Sequence, residues 1–191
     1  MNHFDENKVR RDQGGKFAHK THSESEISLD NSTVTLEGRE SMKTRIRLAE
    51  DYKASAKTLD DLSHDSAAEV RLTVAAHENT PHKALARLAK DEDNMVRHEV
   101  AQNPSAPEQA LTTLSTDNWG VIREAVAANK NTPSETLKVL ATDKDPLVRM
   151  EAAYNPSTGE DVLSRLAVDR NPDVARVAQE ELSWRGEQLT A

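Results

Sequence analysis

The chain has 191 residues, 33 acidic against 25 basic, a formal net charge of −8 and only 3% aromatics. That length suits one domain with an extension, and the composition implies a core of Leu, Val and Ala. The absence of cysteine excludes disulfides, thiolate metal sites and cysteine nucleophiles. The acidic balance works against binding phosphate backbones. No apolar run approaches the roughly 20 residues of a membrane helix, and the polar N-terminus lacks a signal-peptide core, so the expected compartment is the cytoplasm.

Residues 1–39 are polar and rich in charge, Ser and Thr, which predicts a disordered extension. Lys8, Arg10, Arg11, Lys16 and Lys20 give it a basic stretch, and Phe4 and Phe17 are its candidate anchors. Residues 32–36 carry a short β-like pattern. The string RDQGGKFAHK is similar to leaders of uncharacterised actinobacterial and mobile-element proteins.

From residue 54 the chain repeats every 26 residues, five times without a gap, as units 54–79, 80–105, 106–131, 132–157 and 158–183. Leucine recurs at Leu59, Leu85, Leu111, Leu137 and Leu163, and again three residues on at Leu62, Leu88, Leu114, Leu140 and Leu166. Aspartate recurs at Asp65, Asp91, Asp117, Asp143 and Asp169. A β-branched residue follows at Val70, Val96, Ile122, Val148 and Val174. Arginine comes next at Arg71, Arg97, Arg123 and Arg149, with Ala175 in the last unit. Upstream, Thr44, Arg45, Leu48 and Ala49 fall in the same columns, so a half unit occupies 40–53. The predicted layout is an extension (1–39), a helical solenoid (40–184) and a C-terminal tail (185–191).

Each unit reads as two short helices. Thr80–Pro81 and Thr132–Pro133 predict a helix start with the threonine as cap, and Glu135 would close a capping box. The leucine pair faces the core. Asn103, Asn129 and Asn155 predict a left-handed end to the second helix, with Pro104 and Pro156 stopping it. The Asp and Arg columns read as caps and ion pairs within or between units. An arginine row for phosphate is the competing reading, weakened by one aspartate for every arginine.

The string VRHEVAQNPSAPEQALTTLSTDNWG from Val96, repeated as VRMEAAYNPSTGEDVLSRLAVDRNP from Val148, resembles the leucine-rich repeat variant family over residues 44–184. HEAT-like repeats are similar but longer. The resemblance implies an all-α, right-handed solenoid of α/α or α/3-10 hairpins that binds rather than reacts. Some members carry a cysteine-bound iron–sulfur cluster, which cannot carry over to a chain without cysteine.

Catalytic patterns are missing. There is no HExxH, P-loop, GxSxG or GxGxxG, so no catalytic residue, metal or cofactor is expected. His77 stands in the asparagine column, where helix termination explains it. With the fixed columns spent on packing, the variable columns are where a partner would be met. The candidates are Trp119 in a turn, a natural interface anchor, and His98, Glu124, Met150, Tyr154 and Arg176 on the second helices. Trp184 is expected to seal the end of the stack. The leading expectation is a non-enzymatic scaffold for another protein or peptide. The alternative is a nucleic-acid-binding helical repeat, either glycosylase-like or a regulator of a mobile element or host defence.

Overall fold

The computed structural model describes residues 42–188, so the disorder expected for 1–39 falls outside the described residues. The chain divides into Met1–Gly38 and Arg39–Ala191, and everything described belongs to the second unit. Among the described residues there are eleven α-helices and no strands. The half unit contributes α1 (Met42–Glu50). Five hairpins follow: α2 (Ala56–Leu62) with α3 (Ala68–Ala76), α4 (His82–Leu88) with α5 (Asn94–Gln102), and α6 (Glu108–Leu114) with α7 (Gly120–Ala128). They continue with α8 (Ser134–Leu140) and α9 (Pro146–Tyr154), then α10 (Glu160–Leu166) and α11 (Pro172–Gln188). Both helices of each hairpin are α-helical, which settles the α/α alternative. α11 has 17 residues and runs past the boundary expected at 184.

A seven-residue helix is too short to persist alone in water. Both leucines of every first helix are buried, with at most 3% exposure. Each contributes roughly 1.5–3 kcal/mol. They pack on the β-branched column and on Val74, Ala75, Val100, Ala101, Val126, Ala127, Ala152 and Ala153 of the second helices, all at 0% exposure. The second helices lie side by side, α1 on α3, α3 on α5, α5 on α7, α7 on α9 and α9 on α11. The first helices touch one another much less. Small residues on the second helices permit that close approach.

The threonine column does not cap the helices that follow it. Pro81, Pro107, Pro133 and Gly159 occupy the cap positions with extended backbone and no side-chain cap bond. The buried hydroxyls of Thr80, Thr132 and Thr158 point backwards, donating to the carbonyls of Val74, Val126 and Ala152 at 2.6, 2.6 and 2.5 Å. These carbonyls belong to the last turn of the preceding helix, which leaves acceptors open. Glu135 closes no capping box; it pairs with Lys138 at 2.6 Å on the surface.

Nor is the asparagine column left-handed. Asn103, Asn129 and Asn155 have φ of −63°, −71° and −67° and ψ of 125°, 126° and 127°. Their amides bind the previous unit instead. Asn129 Nδ2 donates to the carbonyls of Ala101 (2.7 Å) and Asn103 (3.0 Å), and its Oδ1 accepts from the Asn131 N–H at 2.9 Å. Asn103 and Asn155 repeat the pattern. His77 imitates it: Nδ1 accepts from the Asn79 N–H at 3.0 Å, which leaves Nε2 to donate to the Asp51 carbonyl at 3.1 Å. At the other end Arg185 supplies the donors, to the carbonyls of Asn155 (3.2 Å) and Thr158 (2.6 Å).

Candidate functional site

The arginine row is consumed by the scaffold. Each guanidinium reaches forward to the aspartate of the next unit: Arg45 to Asp65, Arg71 to Asp91, Arg97 to Asp117, Arg123 to Asp143 and Arg149 to Asp169, at 2.6–2.8 Å. Nη1 of Arg71 also reaches back to the carbonyls of Asp65 and Ser66, and Arg97, Arg123 and Arg149 do the same one unit on. Each aspartate additionally accepts the N–H two residues on, at 2.8–3.0 Å. Burial pushes the carboxyls of Asp91, Asp117 and Asp143 up, but the arginine and that N–H hold them below the usual aspartate range. At Asp169 the Arg149 hydrogen bond dominates, with the same result. In the fifth unit Ala175 stands in the arginine column, so the row of forward-reaching guanidiniums stops at Arg149.

With these columns spent, the candidate residues fall into two places. His98 on α5, Glu124 on α7, Met150 and Tyr154 on α9, and Arg176 on α11 lie on the row of second helices. His98, Glu124 and Met150 are half-buried, while Tyr154 is exposed. Arg176 is exposed and closes on Glu180 one turn along its own helix, at 2.8 and 3.0 Å. His98 Nδ1 is buried without a hydrogen-bond partner. Glu151, one residue from Met150 in a neighbouring variable column, belongs with this group. Burial, and then the charge of Glu124 on the neighbouring helix, push its carboxyl above the usual range. Among the described residues neither glutamate has a cationic partner in an ion pair. Among the described residues no group of three or more His, Cys, Asp or Glu could hold a metal ion.

Trp119 stands apart, in the turn before α7, 51% exposed. Its column is a cap column. Asp93 and Asp145 accept from the N–H groups of Met95 and Leu147, and Asn171 accepts from those of Asp173 and Val174. Trp119 caps nothing. Around it are exposed apolar residues that the sequence reading passed over: Met95, Val121 and Leu147, at 50%, 52% and 48%. Apolar residues in a helix read as core. The signal that they face outward is their column, which begins with Glu69 and ends with Asp173. Trp184 does not seal the stack; it is 59% exposed and lines an open cleft with Tyr154 and Pro156.

Two stretches, residues 68–93 and 121–145, match the family model described as leucine rich repeat variant. No curated protein matches the chain. Among solved structures, the crystal structure of an engineered protein matches at 21% identity and a TM-score of 0.46, over 74% of this chain and 88% of that one. A structure titled as a leucine-rich repeat variant with a novel repetitive structural motif matches at 24% identity and a TM-score of 0.37, over 78% of this chain and 69% of that one.

Proposed function

The chain carries leucine rich repeat variant repeats, and from that premise we propose that it is a non-enzymatic scaffold whose second-helix face receives a basic segment of another protein. The observation that carries this is the Glu124–Glu151 pair. Every ladder aspartate has its arginine, whereas the charge of Glu124 on α7 reaches the Glu151 carboxyl on α9, and among the described residues no ion pair holds either one. A lysine or arginine from a partner would relieve that repulsion, and Met150 and Tyr154 beside them offer apolar contact for its stem. Arg176 and Glu180 close the face at α11. A chain without cysteine suits a reducing, cytoplasmic setting, and no described helix is long and apolar enough to cross a membrane.

The test is affinity capture from the native host with the tagged full-length chain, followed by mass spectrometry. The double substitution Glu124→Gln/Glu151→Gln removes the charge and keeps the shape. Proteins recovered with the wild type should be lost with the double variant and displaced by moderate salt. Unchanged recovery would sink the assignment of this face. A tight, salt-sensitive mobility shift of DNA or RNA by the wild type would replace it with the nucleic-acid reading.

A further inference from the structure

Met95, Val121 and Leu147 occupy one column on three second helices that pack side by side, α5, α7 and α9, and Trp119 lies two residues before Val121. Together they form an apolar stripe centred on the third unit. Isolated exposed apolar side chains are ordinary, but a contiguous row of this kind marks a contact surface. Trp119 strengthens the case, because it holds a cap position without capping, where three of the five units place Asp or Asn that do.

The charges beside the stripe change sign along it. The column that runs through the same turns reads Glu92, Asn118, Lys144 and Arg170. Glu92 is highly exposed, with a side-chain exposure of 90%, and its contact with Arg71 is a loose 3.6 Å. That column is therefore acidic at one end, neutral at its centre and basic at the other, while the next column keeps an aspartate at both ends, Asp93 and Asp145. A half-turn about an axis that passes between Trp119 and Val121 brings Met95 of one copy to Leu147 of the other, and Glu92 to Lys144. That is the symmetry of a surface that fits itself, where residue i meets j and j meets i. Asp93 and Asp145 exchange too, but each is already hydrogen-bonded to the start of its own helix.

We propose that this stripe is the interface of a two-fold dimer, its occupant a second copy of the same chain in antiparallel register. Trp119 packs against Val121 of the other copy, Met95 against Leu147, and Glu92 pairs with Lys144 on both sides. The contact is small, so the dimer is weak and concentration-dependent. The proposal does not depend on the second-helix face and leaves that face open.

Sedimentation equilibrium of the full chain, from micromolar to near-millimolar concentration, tests it. The wild-type mass should rise from one chain to two. Trp119→Asn, which restores a capping side chain as at Asn171, should stay monomeric with an equal or higher Tm, so that loss of the dimer is not loss of fold. Glu92→Lys and Lys144→Glu should each weaken the dimer about tenfold, and the double reversal should restore it to within about threefold of wild type. Glu124→Gln/Glu151→Gln should leave it unchanged, which separates failure here from failure of the partner-binding face. A single-chain mass at every concentration would overturn the proposal, as would an undiminished Trp119→Asn dimer or a double reversal no better than the single ones.

Discussion

Each amide of the asparagine column, at Asn103, Asn129 and Asn155, makes three hydrogen bonds with its two polar atoms. Asn129 satisfies two carbonyls of the preceding unit and one N–H of its own. Its replacement by Ala would take this partner from the Ala101 carbonyl and the Asn131 N–H, while the Asn103 carbonyl keeps the Ala106 N–H at 3.0 Å. A buried group left unpaired costs about 1–3 kcal/mol; with the Asn129 carbonyl bonds part-buried and the Asn131 N–H exposed, Asn129→Ala should lower stability by about 1–2 kcal/mol in urea unfolding. A loss no larger than that of an ordinary surface substitution would show that water replaces the amide. His77 offers the complementary change. Its ring reproduces the contacts to Asn79 and Asp51 but has one N–H where an amide has two. His77→Asn should therefore be neutral or stabilising by up to about 1 kcal/mol, with thermal melting as the measurement. The columns holding these residues were visible in the sequence, but their use was not. A repeat of letters shows that a position is constrained; it does not show whether the partner lies two residues ahead or 26 to 28 residues behind. Thr80 and Asn103 look like local helix signals for that reason, yet both bind the neighbouring unit.

Between helices, the aspartate–arginine steps convert a row of hairpins into one body and set its response to acid. Asp91, Asp117, Asp143 and Asp169 have folded pKa values below the usual aspartate range, so each stabilises the fold above the unfolded value of about 3.9. That contribution is lost as pH falls through the lowered folded values. Because the steps act in series, unfolding below about pH 4 should be steep, as followed by circular dichroism. Asp143→Asn leaves the buried Arg123 without its anion and should cost about 3–5 kcal/mol at neutral pH while making the acid transition shallower. Glu151 has the opposite sign. Its folded pKa is raised, so it destabilises the protein when ionised, and stability recovers as pH falls through the raised value. Glu151→Gln should thus stabilise the chain at neutral pH by an amount within about 1 kcal/mol, while diminishing partner capture; a destabilised Gln variant would argue that Glu151 is structural. The aspartate–arginine pairing was legible as matched columns, though not its direction between units. The meeting of Glu124 with Glu151 was not, since they stand in different columns and only the offset between neighbouring helices brings them together.

For the whole solenoid, the consequence of ladders with a fixed 26-residue step is that any unit joins any other. Stability in such an array is close to a sum over units and the joints between them. Deleting residues 106–131 would bring Arg97 to Asp143 and the Asn155 amide to the carbonyls of Ala101 and Asn103, the same partners one step removed. Thr132 would then stand opposite the carbonyl of Val100, a position that Ala106 leaves without a hydroxyl. The shortened chain should fold with the same helical spectrum per residue, a urea m-value smaller by about one-fifth, and reduced stability. Deleting half as much, residues 106–118, removes a first helix and sets two second helices end to end, with every later column out of step with its partner; that chain should lose cooperative unfolding. The repeat period and the buried leucine columns were plain from the letters alone, because stacking demands the same contact at every step. If the full-unit deletion failed to fold while single substitutions at Asn129 and Asp143 behaved as expected, the joints would be tuned to their own neighbours, and the recurrence of the columns would be a poor guide to how the units cooperate.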